Sequence, residues 1–309
     1  MNATARNAAI ARMHHAQRQD NARLTINPTP KRATIARRFS IEATRPKLEE
    51  IAAIAARVPA GTEIYLTAVP AQTQDELVTA ARNVRRAGLE PVVHVAARRL
   101  ESTQSLTDLL AHLNGEADLR RLLVIGGDVD PVGPFSDALA VIQKGKLREA
   151  GIERIGIGAY PEGHPHIPPE RLEAALDEKI AAASAQGLDV YLTSQFSFSP
   201  ERIVAWLKQL RACGIDRPVS VGMVGPTSVT ALIRFAKRCG VSTSLRGIMS
   251  GAATALIGNV GPDRIIEGLD AAQGPVGDVH PHYFTFGNLV ATAEYASAMA
   301  RKDAVATIA

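Results

Sequence analysis

A chain of 309 residues with 46% hydrophobic, 21% charged and 4% aromatic residues has the makeup of an aliphatic-rich α/β protein, which excludes a disordered chain and a disulfide-built one and leaves little for aromatic sugar platforms. The net charge of +4 gathers at the start, where residues 1–38 carry eight Lys and Arg against Asp20 alone, so the remaining body is mildly acidic and no nucleic-acid face is expected of it. The longest uncharged stretch, Gly247 to Pro262, is broken by Ser250, Thr254, Asn259 and several glycines and falls short of the roughly 18 apolar residues that span a bilayer, so no membrane segment is expected.

Residues 1–37 read as a basic arm, 38–303 as one barrel domain and 304–309 as a tail. The arm lacks the apolar core of a secretory signal, which points to a cytoplasmic protein. Its charge suits an acidic neighbour, a polyglutamylated ligand or a solubilising tail. Cys213 and Cys239 form no CxxC pair or framework and read as reduced thiols. A homo-oligomer is compatible with the sequence without being dictated by it.

After the arm, short β-branched runs alternate with longer amphipathic ones. The strand candidates are residues 39–44, 63–69, 91–96, 121–126, 154–159, 189–195, 218–223 and 278–285. Most are near-continuous apolar runs, as parallel strands covered on both faces require. Helical patterns such as 48–58, 75–87, 169–186 and 200–213 lie between them, several ending at glycine (Gly88, Gly151, Gly187, Gly214), with a last helix over 288–302 and a helical insertion around 251–274. At roughly 33 residues per unit, eight units predict a (β/α)8 TIM barrel, with an open doubly wound sheet as the alternative.

Such barrels carry their chemistry at the C-terminal ends of the strands. Glu42 stands alone in an apolar strand, and desolvation at a barrel mouth raises a carboxyl's pKa into the range useful for proton transfer; an ordinary strand-end partner of Arg45 is the plain alternative. Asp128 follows Gly126-Gly127, where the missing side chains let a flat or phosphorylated ligand approach. The turn from Tyr160 to Pro165 holds an aromatic ring, Glu162 and His164 between prolines and a glycine, suited to stacking and phosphate contact. Gln195 offers a donor and an acceptor to a heterocycle, or caps a neighbouring backbone. The rings of Phe196, Phe198, Phe284 and Phe286 fit a core better than a pocket. The pairs His164/His166 and His280/His282 invite a metal-dependent hydrolase reading. Pro281 splits the second pair and no Asp or Cys completes a ligand set, so no metal is assigned.

In order along the chain, these residues resemble the methylenetetrahydrofolate reductase family, a flavin-containing (β/α)8 barrel. Ser40 to Lys47 resembles its Ser-Phe-Glu-Phe-Phe-Pro-Pro-Lys opening, His94 its His-Leu-Thr-Cys strand end, and Gly126-Gly127-Asp128 its Arg-Gly-Asp. Ala159 to Pro165 is similar almost letter for letter to its Ala-Tyr-Pro-Glu-Gly-His-Pro loop; Thr193 to Phe196 looks like Ile-Thr-Gln-Phe, and His282 to Thr285 like His-Phe-Tyr-Thr. The resemblance implies an oxidoreductase interconverting methylenetetrahydrofolate and methyltetrahydrofolate, with NADH or NADPH as hydride donor. It implies Glu42 as the acid that protonates N10, Asp128 as stabiliser of the N5 iminium cation, and Gln195, Asp128 and Tyr283 as folate contacts. It further implies FAD held by His94, Gly127, Asp128, Tyr160, His164 and Lys179. Where the family has an arginine, a strand-two hydroxyl, a Thr-Cys and a second basic residue, this chain has Gly126, Ala68, Ala96-Ala97 and Lys179 alone, so a more weakly held FAD is expected. A pterin-binding barrel without catalysis is the remaining alternative.

Overall fold

The computed structural model describes residues 35–70, 72–227, 262–272 and 274–306, the last five without their side chains. Eight parallel strands close in sequence order, β1 (Ser40–Ala43), β2 (Glu63–Leu66), β3 (Glu90–Ala96), β4 (Arg121–Ile125), β5 (Arg154–Ala159), β6 (Asp189–Ser194), β7 (Val219–Val224) and β8 (Val279–Phe284), and β8 pairs back onto β1. Around them run α1 (Leu48–Ala55), α2 (Gln74–Arg86), α3 (Thr103–Ala117), α4 (Ala138–Lys144), α5 (Pro169–Ala185), α6 (Pro200–Ala212), α7 (Pro262–Ala271) and α8 (Leu289–Ala306). The fold is the expected TIM barrel. Only α7 falls within the expected insertion; residues 251–261, like most of the basic arm and Cys239, lie outside the described residues.

Local chemistry sets the helix starts. Thr73 caps α2 by accepting from the Glu76 amide at 3.1 Å while Glu76 accepts from the Thr73 amide at 3.0 Å, a reciprocal box that satisfies two otherwise orphaned donors. Asp137 caps α4 through the Ala140 amide at 2.9 Å, and proline opens α5 and α6, where its missing N–H costs nothing. At the other boundary of the arm, Ile35–Arg37 forms a 3-10 turn against the barrel, with Ala36 in the core and the Ile35 amide donating to Asp270 at 3.0 Å.

Each strand shows its period of two once both faces are seen. Ile41, Ala43, Ile64, Leu66, Val93, Val95, Leu122, Val124, Ile155 and Ile157 face the helices and form the main core. Their neighbours face inward, where Tyr65, Val92, Leu123 and Tyr191 make a smaller central cluster. Below it, at the N-terminal strand ends, Glu63 pairs with Arg121, and the Arg154 guanidinium lies 5.4 Å over the Tyr191 ring. Charge therefore closes the floor of the barrel and leaves the inner positions nearer the C-terminal ends for the site. Among the described residues, no helix is long and apolar enough to cross a membrane.

Candidate active site

Because Ile41 and Ala43 pack outward, Ser40 and Glu42 are the inward residues of β1. The register places Ser40 beside His282 of β8, and the Ser40 hydroxyl lies 2.8 Å from His282 Nδ1. His282 is fully buried, and its Nε2 is 3.5 Å from Oε2 of Glu42, whose side chain is 17% exposed. Tyr65 tilts its ring against the imidazole at 4.4 Å between centroids, and Phe284 meets it edge-on at 5.1 Å. Thr285 pins the end of β1 by donating to the Glu42 carbonyl at 3.0 Å. The carboxyl thus stands on the floor of the barrel mouth, in a pocket of rings.

His94 enters the same chamber from β3, edge-on to Tyr65 at 6.0 Å. Burial pulls its pKa down to about 4 against the opposing pull of the Glu42 charge, so the ring is neutral near pH 7. Its Nε2 is buried and has no hydrogen-bond partner. Burial also pushes the Tyr65 phenol well up, which keeps that hydroxyl protonated.

The remaining expected residues lie on the loops above. Gly127 has a φ of +97°, a backbone that favours glycine, and a Cβ there would sit 3.6 Å from Ala96 and Arg98. Asp128 is half exposed and accepts from Arg99 Nη2 at 2.7 Å, so its charge already has a partner. Tyr160 and His164 meet edge-on at 5.1 Å, the tyrosine largely buried and its pKa raised by that burial. His164 accepts from the His166 amide at 3.2 Å, which fixes the turn. Glu162 is 7% exposed, with Arg202 Nη1 at 3.9 Å. Lys179 projects from α5 in a half-buried position, its pKa lowered by burial and supported by the charges of Asp137 and Glu178. Gln195 Oε1 accepts from the Phe196 amide at 3.0 Å. The backbone-capping reading of Gln195 is therefore present, and it engages the side-chain oxygen.

Tyr283 does not face the mouth. Its ring belongs to the outer core, edge-on to Phe39 at 6.1 Å and Tyr295 at 6.0 Å. Its neighbours His282 and Phe284 are the inward residues of β8, and Phe284 packs with Phe196 at 5.3 Å and Phe286 at 6.1 Å. The sequence reading weighed His282 only as half of a metal pair and gave it no part beside Glu42; strand parity is the signal, since on β8 the inward set is His280, His282 and Phe284. Arg99, which brings a guanidinium to Asp128 from the turn after β3, escaped that reading.

The two histidine pairs do not converge. His280 is held between Arg38 Nη2 at 2.9 Å and Ser220 Oγ at 3.0 Å, while His164 and His166 lie on the β5 loop. Among the described residues no group of three or more His, Cys, Asp or Glu is placed to hold a metal ion. A cavity of ≈ 340 Å³ lined by residues such as Asn114, Asp118 and Arg120 lies by the N-terminal ends of β4 and β5, away from Glu42.

A family model described as methylenetetrahydrofolate reductase matches residues 36–246. The chain is 27% identical over 170 residues to methylenetetrahydrofolate reductase 2 of Saccharomyces cerevisiae, covering 52% of this chain and 27% of that protein. It is 26% identical over 152 residues to 5,10-methylenetetrahydrofolate reductase of Pectobacterium carotovorum subsp. carotovorum, covering 49% of each. The match thus spans about half of the bacterial relative and about a quarter of the yeast one. Among solved structures, dihydropteroate synthase from Thermus thermophilus aligns at 17% identity over 85% of this chain and 92% of that one, with a TM-score of 0.46.

Proposed function

The chain belongs to the methylenetetrahydrofolate reductase family, and from that premise we propose that it interconverts 5,10-methylenetetrahydrofolate and 5-methyltetrahydrofolate, with Glu42 as general acid. The observation that carries this reading is a lone carboxyl on the floor of the mouth, 17% exposed and faced by a buried imidazole at 3.5 Å. In that place Glu42 delivers its proton to N10 as the bond from N10 to the methylene carbon breaks. The pair of electrons left on N10 takes the proton, and the positive charge appears at N5.

Asp128 stands on the β4 side of the mouth to offset that charge, in exchange for its contact with Arg99. The Gln195 amide nitrogen reads the pterin, and Phe196, Phe284 and Phe286 keep water from the reacting atoms. His282 and Phe284 take the place on β8 that the sequence reading gave to Tyr283.

The residues also suit FAD. The orphaned Nε2 of His94 is a buried polar atom in want of a partner, a Cβ at Gly126 would meet nothing within 4 Å, and the edge-on Tyr160–His164 pair and half-buried Lys179 offer a ring face and a cation. FAD, when bound, would carry hydride between NADH or NADPH and the folate. With Gly126, Ala68 and a single Lys179 in place of polar groups, two or three charged hydrogen bonds are missing, each worth roughly 1.5–3 kcal/mol. Purified protein is expected to carry less than one flavin per chain, with added FAD raising turnover. Full activity in demonstrably flavin-free protein would overturn this part of the reading.

Glu42→Gln tests the acid. The variant is expected to lose turnover by at least roughly 100-fold while binding 5-methyltetrahydrofolate nearly as well as the parent. Near-normal turnover removes Glu42 from the role, and folate binding without any hydride transfer in the parent protein identifies a binding barrel.

A further inference from the structure

We propose that His282 is the positioning residue for the acid, an imidazole held by Ser40 that keeps the Glu42 carboxyl and its proton aimed at the reacting nitrogen. The inference rests on the reading of Glu42 as acid and goes beyond it. Among the described residues three histidines face the barrel interior, and their surroundings separate them. Both ring nitrogens of His280 are engaged, by Arg38 and Ser220 at 2.9 and 3.0 Å, so it is a satisfied part of the floor. His94 leaves Nε2 unpartnered and is not among the ion pairs of Glu42.

His282 is different. Its Nδ1 is bonded to Ser40 at 2.8 Å, its side chain has no exposure, and its Nε2 has no hydrogen bond while Glu42 Oε2 stands 3.5 Å away. A buried ring nitrogen without a partner is costly, and the group placed to relieve that cost is the carboxyl itself. With the Ser40 hydroxyl donating to Nδ1, Nε2 carries the ring proton and faces Oε2 of the carboxyl as a donor, which leaves Oε1 to carry the acid proton toward the reacting nitrogen. A separation of 3.5 Å is open in the free protein and closes with a small turn of the Glu42 side chain, as catalytic contacts do when substrate arrives. Tyr65 on one side and Phe284 on another hold the ring in that plane. The Ser40–His282 contact exists because β1 and β8 close the barrel.

The experiment compares His282→Phe, His282→Gln and Glu42→Gln as full chains supplied with FAD. His282→Phe keeps the ring volume and removes both nitrogens. It is expected to lower kcat by roughly 30-fold with the dissociation constant for 5-methyltetrahydrofolate changed by less than about threefold, and His282→Gln is expected to recover part of the loss through its side-chain amide. In the otherwise unaltered protein labelled with ¹⁵N-histidine, Glu42→Gln is expected to shift the His282 Nε2 resonance. Normal kcat in His282→Phe, or kcat and folate affinity falling together without recovery in His282→Gln, overturns the proposal. If His282→Phe does not fold, the resonance decides: no shift on Glu42→Gln means the two groups do not communicate. If Glu42→Gln turns over normally, it is the acid reading that fails; if Glu42→Gln is inactive while His282→Phe is normal, the acid stands and the positioning role falls.

Discussion

The carboxamide of Gln195 is tied to the protein through its oxygen, and its nitrogen is the part proposed to meet the folate. Its oxygen accepts from the Phe196 amide at 3.0 Å, and its own backbone amide donates to Ala159 at 2.8 Å, so the side chain is fixed before any substrate arrives. This makes its two roles separable. Gln195→Glu keeps the acceptor that caps Phe196 and replaces the amide donor with oxygen, so it is expected to retain thermal stability while folate affinity drops by roughly tenfold or more. Gln195→Ala is expected to lose both. Equal folate affinity in the Glu variant, measured by titration beside a thermal melt, would return Gln195 to a purely structural part. A single residue of parity decides a similar question on β8. Tyr283 carries the hydroxyl and attracts attention in the sequence, yet His282 and Phe284 are the residues that face the chamber.

Strands β6 and β7 show how backbone contact places a side chain. Gly222 of β7 donates to Ser194 Oγ at 2.8 Å, and a Cβ at 222 would lie 2.4 Å from the Ser194 carbonyl and 2.7 Å from the Phe196 amide. The segment that presents Gln195 therefore crosses β7 with no room for a methyl group. Gly222→Ala is expected to cost about 1–3 kcal/mol of stability by overpacking and to weaken folate binding with it, because the obstructed segment carries Gln195. An unchanged melting temperature and affinity would show that the crossing is slack. At β2 the sequence suggests a strand to Val69, whereas the ladder stops at Leu66; Thr67 donates its side chain to Thr44 at 2.9 Å and the chain turns away from the sheet. Alternation of β-branched residues is blind to such a side-chain bond.

Protons couple to the stability of the whole barrel through two buried rings. Burial holds the pKa of His94 down to about 4, while burial and the Arg38 charge hold His280 down to about 3. In the unfolded chain both would titrate near ~6.5. Below that value the unfolded state takes up protons that the folded state refuses, so stability is full above pH ~6.5 and falls as the pH drops, by roughly 1.4 kcal/mol per unit for each ring. The loss from His94 ends near its folded value of about 4, and that from His280 near about 3. Urea unfolding between pH 7 and pH 4 (roughly the window set by those values) is expected to show this slope. His280→Gln, whatever its stability at neutral pH, is expected to flatten it. An unchanged slope in that variant would mean that the ring is not excluded from protonation in the barrel.

The alternation of apolar runs and amphipathic helices determined the barrel, because eight parallel strands covered on both sides demand that pattern. The order of short motifs from Ser40 to Thr285 pointed to the family, and Glu42 and the loop from Tyr160 to Pro165 were legible because polar groups are conspicuous where apolar strands end. The facing of each strand was not legible there. When both faces are buried, the two phases of a strand are nearly equal in hydrophobicity, and only the helices packed outside tell Tyr283 from His282. Nor could the sequence pair Ser40 with His282, 242 residues apart, or seat Arg99 against Asp128 from the neighbouring loop. Those contacts are made by closure of the sheet and by packing of loops at its rim, where distance in space no longer follows distance along the chain.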